Sequence, residues 1–306
     1  MGFLRKIGRW GKSILKNRSQ HDEIIKEFWT SLRKLTPQTV ISNVEIHLAE
    51  HCNLNCFCCG HFSTIAEEEY ADLVAYEKDM KQLALVTGGG GIGCFRLMGG
   101  EPLLHPNCKE FFKITRTHFP QSTIQLVTNG ILLPKQKEDF WEYAKEYKVI
   151  ISPTKYPIKI DWQSIEKMCQ KYEVPLIFYN NAKIEKTSMQ FLVDKEGKQD
   201  VFYNFNHCWD ANWCVRFHKG KLATCSAPIS IEHLNKKFNQ NFIVTPGDYI
   251  DIYKYKEYAL PEITQFLARP IPFCRYCNRK ESWDTGKWRL SEKTLEEYTQ
   301  KYEDKH

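Results

Sequence analysis

The chain has no run approaching the roughly 20 consecutive apolar residues that a membrane-crossing helix requires, so no span is expected in it. It also lacks the uninterrupted apolar core of a secretory signal, because Arg5, Lys6, Arg9, Lys12, Lys16 and Arg18 break up the first residues. These two absences predict a cytoplasmic protein. Low-complexity tracts and internal sequence repeats are missing too, which argues against a disordered linker or a solenoid. Outside the N-terminus the chain also lacks net charge. The six basic residues just named, with no acid among residues 1–20, equal the whole formal charge of +6 and leave residues 21–306 neutral. A body without a basic field is not expected to bind nucleic acid.

What the chain does have is cysteine, twelve in 306 residues. In a reducing compartment so many thiols point to metal binding or catalysis rather than to a disulfide framework. Their distribution is uneven: Cys52, Cys56, Cys58 and Cys59 form one group, Cys208, Cys214 and Cys225 a second, and Cys274 with Cys277 a third. Cys94, Cys108 and Cys169 stand alone and read as small buried hydrophobes.

The organisation along the chain is that of repeated strand–helix units. Val44–Leu48, Cys94–Met98, Ile124–Val127, Val149–Ser152 and Pro175–Tyr179 read as strands, alternating with helices at about 65–86, 107–118, 135–147 and 161–172. Such alternation predicts an α/β fold with a parallel sheet or barrel, whose functional residues gather at the C-terminal ends of the strands. Three domains are expected: basic amphipathic helices over 1–40, a core over 41–203, and a short-element region rich in Cys, Trp, His and Asn over 204–306. In residues 1–20, Phe3, Leu4, Ile7, Trp10, Ile14 and Leu15 recur at helical spacing among the basic residues. Such a helix packs on the body or lies on an anionic membrane surface as a peripheral contact. Gly88, Gly90 and Gly93 match the letters of a dinucleotide fingerprint, but they follow a helix and precede a strand, the reverse of the order that aims a helix N-terminus at phosphate.

The first cysteine group holds the spacing C-x3-C-x2-C in Cys52, Cys56 and Cys59, directly after the first strand. Three thiolates from one loop suit three irons of a cubane and leave the fourth iron open for a substrate. A structural zinc site needs four ligands, which Cys56/Cys59 and Cys274/Cys277 offer as two C-x2-C pairs. The next strand ends in Gly99-Gly100-Glu101-Pro102. Together these motifs resemble the radical S-adenosylmethionine (radical SAM) superfamily, over about residues 43–200. The resemblance implies a partial (β/α)6 TIM-like barrel, a [4Fe–4S] cluster on Cys52, Cys56 and Cys59, and S-adenosylmethionine held by Gly99, Gly100, Glu101, Pro102, Asn129 and Ser152. Glu101 would hold the strand-end geometry, while the glycine backbone meets the methionine ammonium. One departure stands out: the family places an aromatic residue before the third cysteine, and this chain has Cys58. His105 reads as structural, capping the next helix.

The later cysteines, with Cys208, Gly220 and Cys225 spaced C-x11-G-x4-C and Cys274-Arg-Tyr-Cys277 beyond, resemble the SPASM and twitch extensions of the same superfamily. That resemblance implies one auxiliary [4Fe–4S] cluster on four of Cys208, Cys214, Cys225, Cys274 and Cys277, with Cys208 and Cys214 competing for one place. A zinc knuckle is the alternative. For function, the resemblance implies reductive cleavage of S-adenosylmethionine to a 5′-deoxyadenosyl radical. That radical would take hydrogen from a small polar substrate, a sugar or sugar nucleotide of surface-polysaccharide synthesis, in an oxidation, dehydration or epimerisation. A low-potential donor such as a flavodoxin or ferredoxin would supply the electron. Two other readings stay open, a maturase of a ribosomal peptide and a non-catalytic zinc-binding interaction protein.

Overall fold

The computed structural model describes residue 22, residue 25, residues 29–179 and residues 185–301. The basic segment 1–20, and with it the expected membrane contact, lies outside the described residues. Within them, no helix is long and apolar enough to cross a membrane.

The chain enters the body through a helical stretch at residues 29–35 and then forms β1 (Ile41–Ala49). In β1 the apolar Val44, Ile46 and Leu48 alternate with Glu45 and His47, so the strand presents one apolar and one polar face. Units of strand and helix follow: α1 (Leu73–Thr87), β2 (Ile92–Gly99), α2 (Glu110–His118), β3 (Thr123–Thr128), α3 (Glu138–Glu146), β4 (Val149–Pro153) and α4 (Trp162–Lys171). Helix α1 begins where the Asp72 carboxylate accepts from the Ala75 N–H, eight residues later than the apolar pattern suggests. The intervening residues 65–72 run as a loop that returns to β1, with Ala71 N–H donating to Leu48 O.

The main sheet runs in the order β4-β3-β2-β1-β6-β7-β8, with β6 (Val215–His218) parallel to β1. Strands β7 (Lys221–Ala223) and β8 (Ile250–Asp251) extend it antiparallel. Residues 175–179, expected as a fifth strand, lie alongside β4. Ile177 N–H donates to Ile151 O and Tyr179 N–H to Pro153 O, but only Leu176 forms a bridge and Pro175 has no N–H to give. Counting that segment, six extended stretches run parallel, and the chain is an α/β partial barrel of the TIM-like kind.

The sheet does not stop at the expected boundary near 203. The short α5 (Val201–Asn206) leads into β6, which joins the same sheet beside β1. Helices α6 (Ala227–Phe238) and α7 (Leu260–Leu267) follow. A second sheet pairs β5 (Thr187–Gln190), from before the boundary, with β9 (Trp283–Lys287) near the end. The last helix, α8 (Glu296–Thr299), buries Tyr298 against Phe62 in the cysteine loop.

Candidate active site

The loop after β1 carries Cys52, Cys56, Cys58 and Cys59. It is held down by the strand end that follows it in the sheet. Gly100 N–H donates to Ala49 O at 2.9 Å and Glu101 N–H to His51 O at 3.1 Å. A Cβ on Gly99 would stand 2.1 Å from Ala49 O, and one on Gly100 would stand 2.1 Å from His51 O. Gly99 also has a φ of +144°, which side-chain-bearing residues avoid. The two glycines are therefore required by close backbone approach to the cysteine loop.

Glu101 is fully buried and acts as a latch between β2 and β3. Its carboxylate accepts from Leu103 N–H (3.1 Å), Thr128 Oγ1–H (2.7 Å) and Asn129 N–H (2.9 Å). Burial lifts this carboxyl to about 7, against the three donated bonds. Pro102 opens the 3-10 turn that follows. Asn129 then reaches the loop itself, donating from Nδ2 to Asn53 Oδ1 at 2.7 Å, with Cys52 Sγ at 3.9 Å. Ser152 is buried near the end of β4. His105 is structural: Nδ1 accepts from Asn107 N–H and Nε2 contacts Ala71 O.

The three thiols of the C-x3-C-x2-C spacing sit in one electrostatic neighbourhood. Burial pushes Cys52 up, and Cys59 and Cys56 add to that push. Cys56 is raised to about 11 by burial and by Cys59. Cys59 is the exception: burial opposes its ionisation, but hydrogen bonds from the His61 side chain and from the His61 and Ser63 N–H groups bring it down to about 7. Cys58 also feels Cys59 but is bonded elsewhere. Held at a φ of +47°, it turns its sulfur toward the C-terminal segment, accepting from Phe191 N–H at 3.2 Å and donating to Glu297 O at 3.1 Å. Aromatic residues come instead from elsewhere. Tyr156, beyond β4, and Trp288, beyond β9, pack edge to face with ring centroids 5.7 Å apart, and both stand beside Cys56, where their polar hydrogens favour the thiolate.

A second set of thiols gathers beside α5, whose Asn204 bonds to Cys274 O and Cys277 O. Burial raises Cys225, and Cys208, Cys277 and Cys274 raise it further. Cys274 is lifted to about 12 by burial, with Cys208 contributing in the same direction. Cys214 lies apart from these four. As the residue before β6, it sits next to Glu45, and its sulfur is 3.8 Å from Arg96 Nη1. Cys208, and not Cys214, shares the neighbourhood of Cys225 and Cys274.

Both thiol sets fit polynuclear iron–sulfur centres by their donor chemistry.

A row of polar residues that the motifs did not mark crosses the sheet beneath the cysteine loop. Arg96 on β2 and Arg216 on β6 flank Glu45 on β1 in direct register, and Gln125 on β3 follows Arg96. His61 leans from the loop onto this row, its Nε2 3.6 Å from Glu45. Burial works against the Glu45 carboxylate, but His61 and Arg96 hold it down to about 2. Arg216 is fully buried. Its Nη2 donates to Glu50 at 2.8 Å, and Glu50 also contacts His47 and His233. Arg216 Nε and Nη1 and Arg96 Nε are buried without partners, while Glu45 Oε2 faces only His61 Nε2 at 3.6 Å. The sequence signal for Glu45 and Arg96 was a charge among apolar residues inside predicted strands, whereas Arg216 lies on β6, which the sequence pattern did not predict.

Residues 46–154 match the sequence model of the Radical SAM superfamily, and this part of the chain is a radical SAM domain. Such a domain implies a [4Fe–4S] cluster and S-adenosylmethionine as its cofactors. Among curated proteins, the GTP 3′,8-cyclase of Chlorobaculum tepidum is 33% identical over 96 residues, 31% of this chain and 28% of that protein. The GTP 3′,8-cyclase of Nautilia profundicola is 31% identical over 108 residues, 35% of this chain and 31% of its own length. The matched stretch thus spans less than a third of these relatives. Among solved structures, BtrN in complex with AdoMet and 2-DOIA aligns over 79% of this chain and 94% of its own, at 16% identity and a TM-score of 0.48. Native anSMEcpe with bound AdoMet and Cp18Cys peptide aligns over 45% and 42%, at 20% identity and a TM-score of 0.35.

Proposed function

We propose that the chain is a radical SAM enzyme that takes hydrogen from a small, hydroxyl-rich substrate of the sugar or sugar-nucleotide class, with an auxiliary [4Fe–4S] cluster in its C-terminal part. One observation carries the reading: three mutually neighbouring thiols on the loop after β1, clamped by the Gly99-Gly100-Glu101 strand end. Cys52, Cys56 and Cys59 would hold the first cluster, and Cys208, Cys225, Cys274 and Cys277 the second. When bound and reduced, the first cluster supplies the electron that splits S-adenosylmethionine into methionine and a 5′-deoxyadenosyl radical.

The chain's own residues do the rest. Glu101 fixes the ends of β2 and β3 so that the Gly99–Gly100 main chain and Asn129 face the cofactor from set positions. Tyr156 and Trp288 pack at Cys56 and keep water from it. The unpaired donors of Arg96 and Arg216 suit a substrate rich in hydrogen-bond acceptors such as hydroxyl oxygens. Oxidation, dehydration or epimerisation of such a substrate is the expected chemistry, with a flavodoxin or ferredoxin as electron donor.

The relatives, GTP 3′,8-cyclases, favour a second reading, cyclisation of GTP, although the similarity is confined to under a third of those proteins. Iron, sulfide and zinc analysis of anaerobically purified protein, followed by reduction with S-adenosylmethionine, tests the proposal. About eight irons and release of 5′-deoxyadenosine are expected. Zinc alone with no cleavage would overturn it. Deoxyadenosine release that rises sharply with GTP and not with sugar nucleotides would favour the second reading.

A further inference from the structure

Arg279 follows Cys277 by two residues, and its side chain is only 6% exposed. Its Nη2 donates to Cys208 Sγ at 2.8 Å and to Asp210 at 3.1 Å. The guanidinium lies over the Phe191 ring, 4.6 Å from its centroid. The backbone of Arg279 is equally well fixed. Its N–H donates to Asn204 Oδ1 at 3.2 Å, and Asn204 Nδ2 donates in turn to Cys274 O and Cys277 O. One asparagine on α5 therefore ties the Cys274–Cys277 turn and the arginine into a single unit.

A buried guanidinium is costly unless its charge and its donors are both met. The carboxylate of Asp210 is 45% exposed and engages only Nη2. Nε is buried and has no partner. The protein thus holds a rigid cation with a spare N–H against a group of four thiols. Four thiolates on a cubane carry net negative charge, which grows when the cluster is reduced, and a fixed cation with hydrogen bonds to sulfur favours the reduced form.

We propose that Arg279 is the charge-compensating, positioning residue of the Cys208/Cys225/Cys274/Cys277 centre, setting its reduction potential upward through the bond to Cys208 and the unpaired Nε. This inference rests on the reading of those four cysteines as an auxiliary cluster site. It also gives Phe191 a part. The same residue whose ring carries Arg279 donates its N–H to Cys58, the neighbour of Cys59, so one contact path joins the surroundings of the two cysteine sets.

The test is an EPR-monitored redox titration of the full, anaerobically reconstituted chain with S-adenosylmethionine present to set apart the signal of the open-iron centre. Wild type, Arg279→Gln and Arg279→Lys are compared, with iron counted in each. About eight irons are expected in wild type and in Arg279→Lys. The auxiliary potential of Arg279→Gln should fall by at least a tenfold change in the reduction equilibrium, about 59 mV for one electron. Arg279→Lys should recover at least half of that. About four irons in wild type overturns the auxiliary-centre reading and this inference with it. Eight irons in all three proteins with unchanged potentials leaves that reading standing and overturns the role of Arg279. If Arg279→Gln loses the auxiliary irons, Arg279→Lys decides: retention near the wild-type potential supports charge compensation, and loss from both variants assigns Arg279 to folding alone.

Discussion

The Glu101 latch makes a prediction whose sign is unusual for a carboxylate. Carboxylates paired with cations, such as Glu45, are held as anions, but burial without a cation raises Glu101 to about 7, above its ordinary 4.5. The folded state therefore binds a proton more tightly than the unfolded chain does between those values. The resulting stability is fully present below about pH 4.5 and is lost as pH rises through about 7. A gap of roughly 2.5 units at about 1.36 kcal/mol each corresponds to about 3 kcal/mol. Glu101→Gln is the natural probe, because it is nearly isosteric with the protonated acid and does not titrate. The variant still offers one carbonyl oxygen for Leu103 N–H and Thr128 Oγ1–H, while its NH2 opposes Asn129 N–H. That mismatch costs about 1–3 kcal/mol at every pH. The difference in stability between wild type and variant is the diagnostic quantity, since it cancels the titration of Glu45 and the other carboxylates. Anaerobic thermal melts from pH 4.5 to 8 should show wild type losing its advantage over Glu101→Gln as pH rises. The change should amount to several degrees, at about 2–4 °C per kcal/mol. An advantage that instead grows with pH would mean that the three donors stabilise the anion more than burial penalises it, and the argument would fail.

Two further substitutions probe the clamp and the row beneath it. Gly100→Ala drives a methyl group into His51 O and should prise the cysteine loop from the β2 end. Binding of S-adenosylhomocysteine by calorimetry should weaken at least tenfold, and unchanged affinity would show that the backbone contact is dispensable. Arg216→Leu leaves Glu50 buried against His47 and His233 without its cation and should destabilise the chain by about 3–5 kcal/mol in denaturant melts. A loss below about 1 kcal/mol would mark the Arg216–Glu50 pair as no stronger than a surface ion pair.

The parts of this structure that were legible in sequence are those in which local chemistry and spacing coincide. Apolar alternation located β1 to β4, since a two-residue period survives in any environment. The cysteine spacing and the Gly-Gly-Glu-Pro strand end marked two segments that the fold packs together, because close backbone approach there admits only glycine. Where tertiary contacts decide, the pattern was silent. Residues 175–179 have strand-like composition but form a single bridge, as a proline at the sheet edge limits pairing. Cys214 has the same local company as Cys208, and only the register of β6 against β1 turns it toward Glu45. Cys58, the departure from the family pattern, is explained by Phe191 and Glu297, residues 133 and 239 positions away.

The same reasoning accounts for the buried cations. Arg96, Arg216 and Arg279 carry no motif, and in sequence each resembles any surface arginine. Burying three guanidiniums beside unpaired N–H groups lowers stability unless something else recovers the loss. A folding role alone leaves these placements unfavourable, because apolar residues replacing each arginine together with its carboxylate partner would serve the fold at least as well. What the three positions share is proximity to sites that have to take up negative charge or hydrogen-bond acceptors: a thiol quartet for Arg279, and the floor under the cysteine loop for Arg96 and Arg216. The pattern is that of a protein giving up stability at its functional sites, where local rules are most often broken.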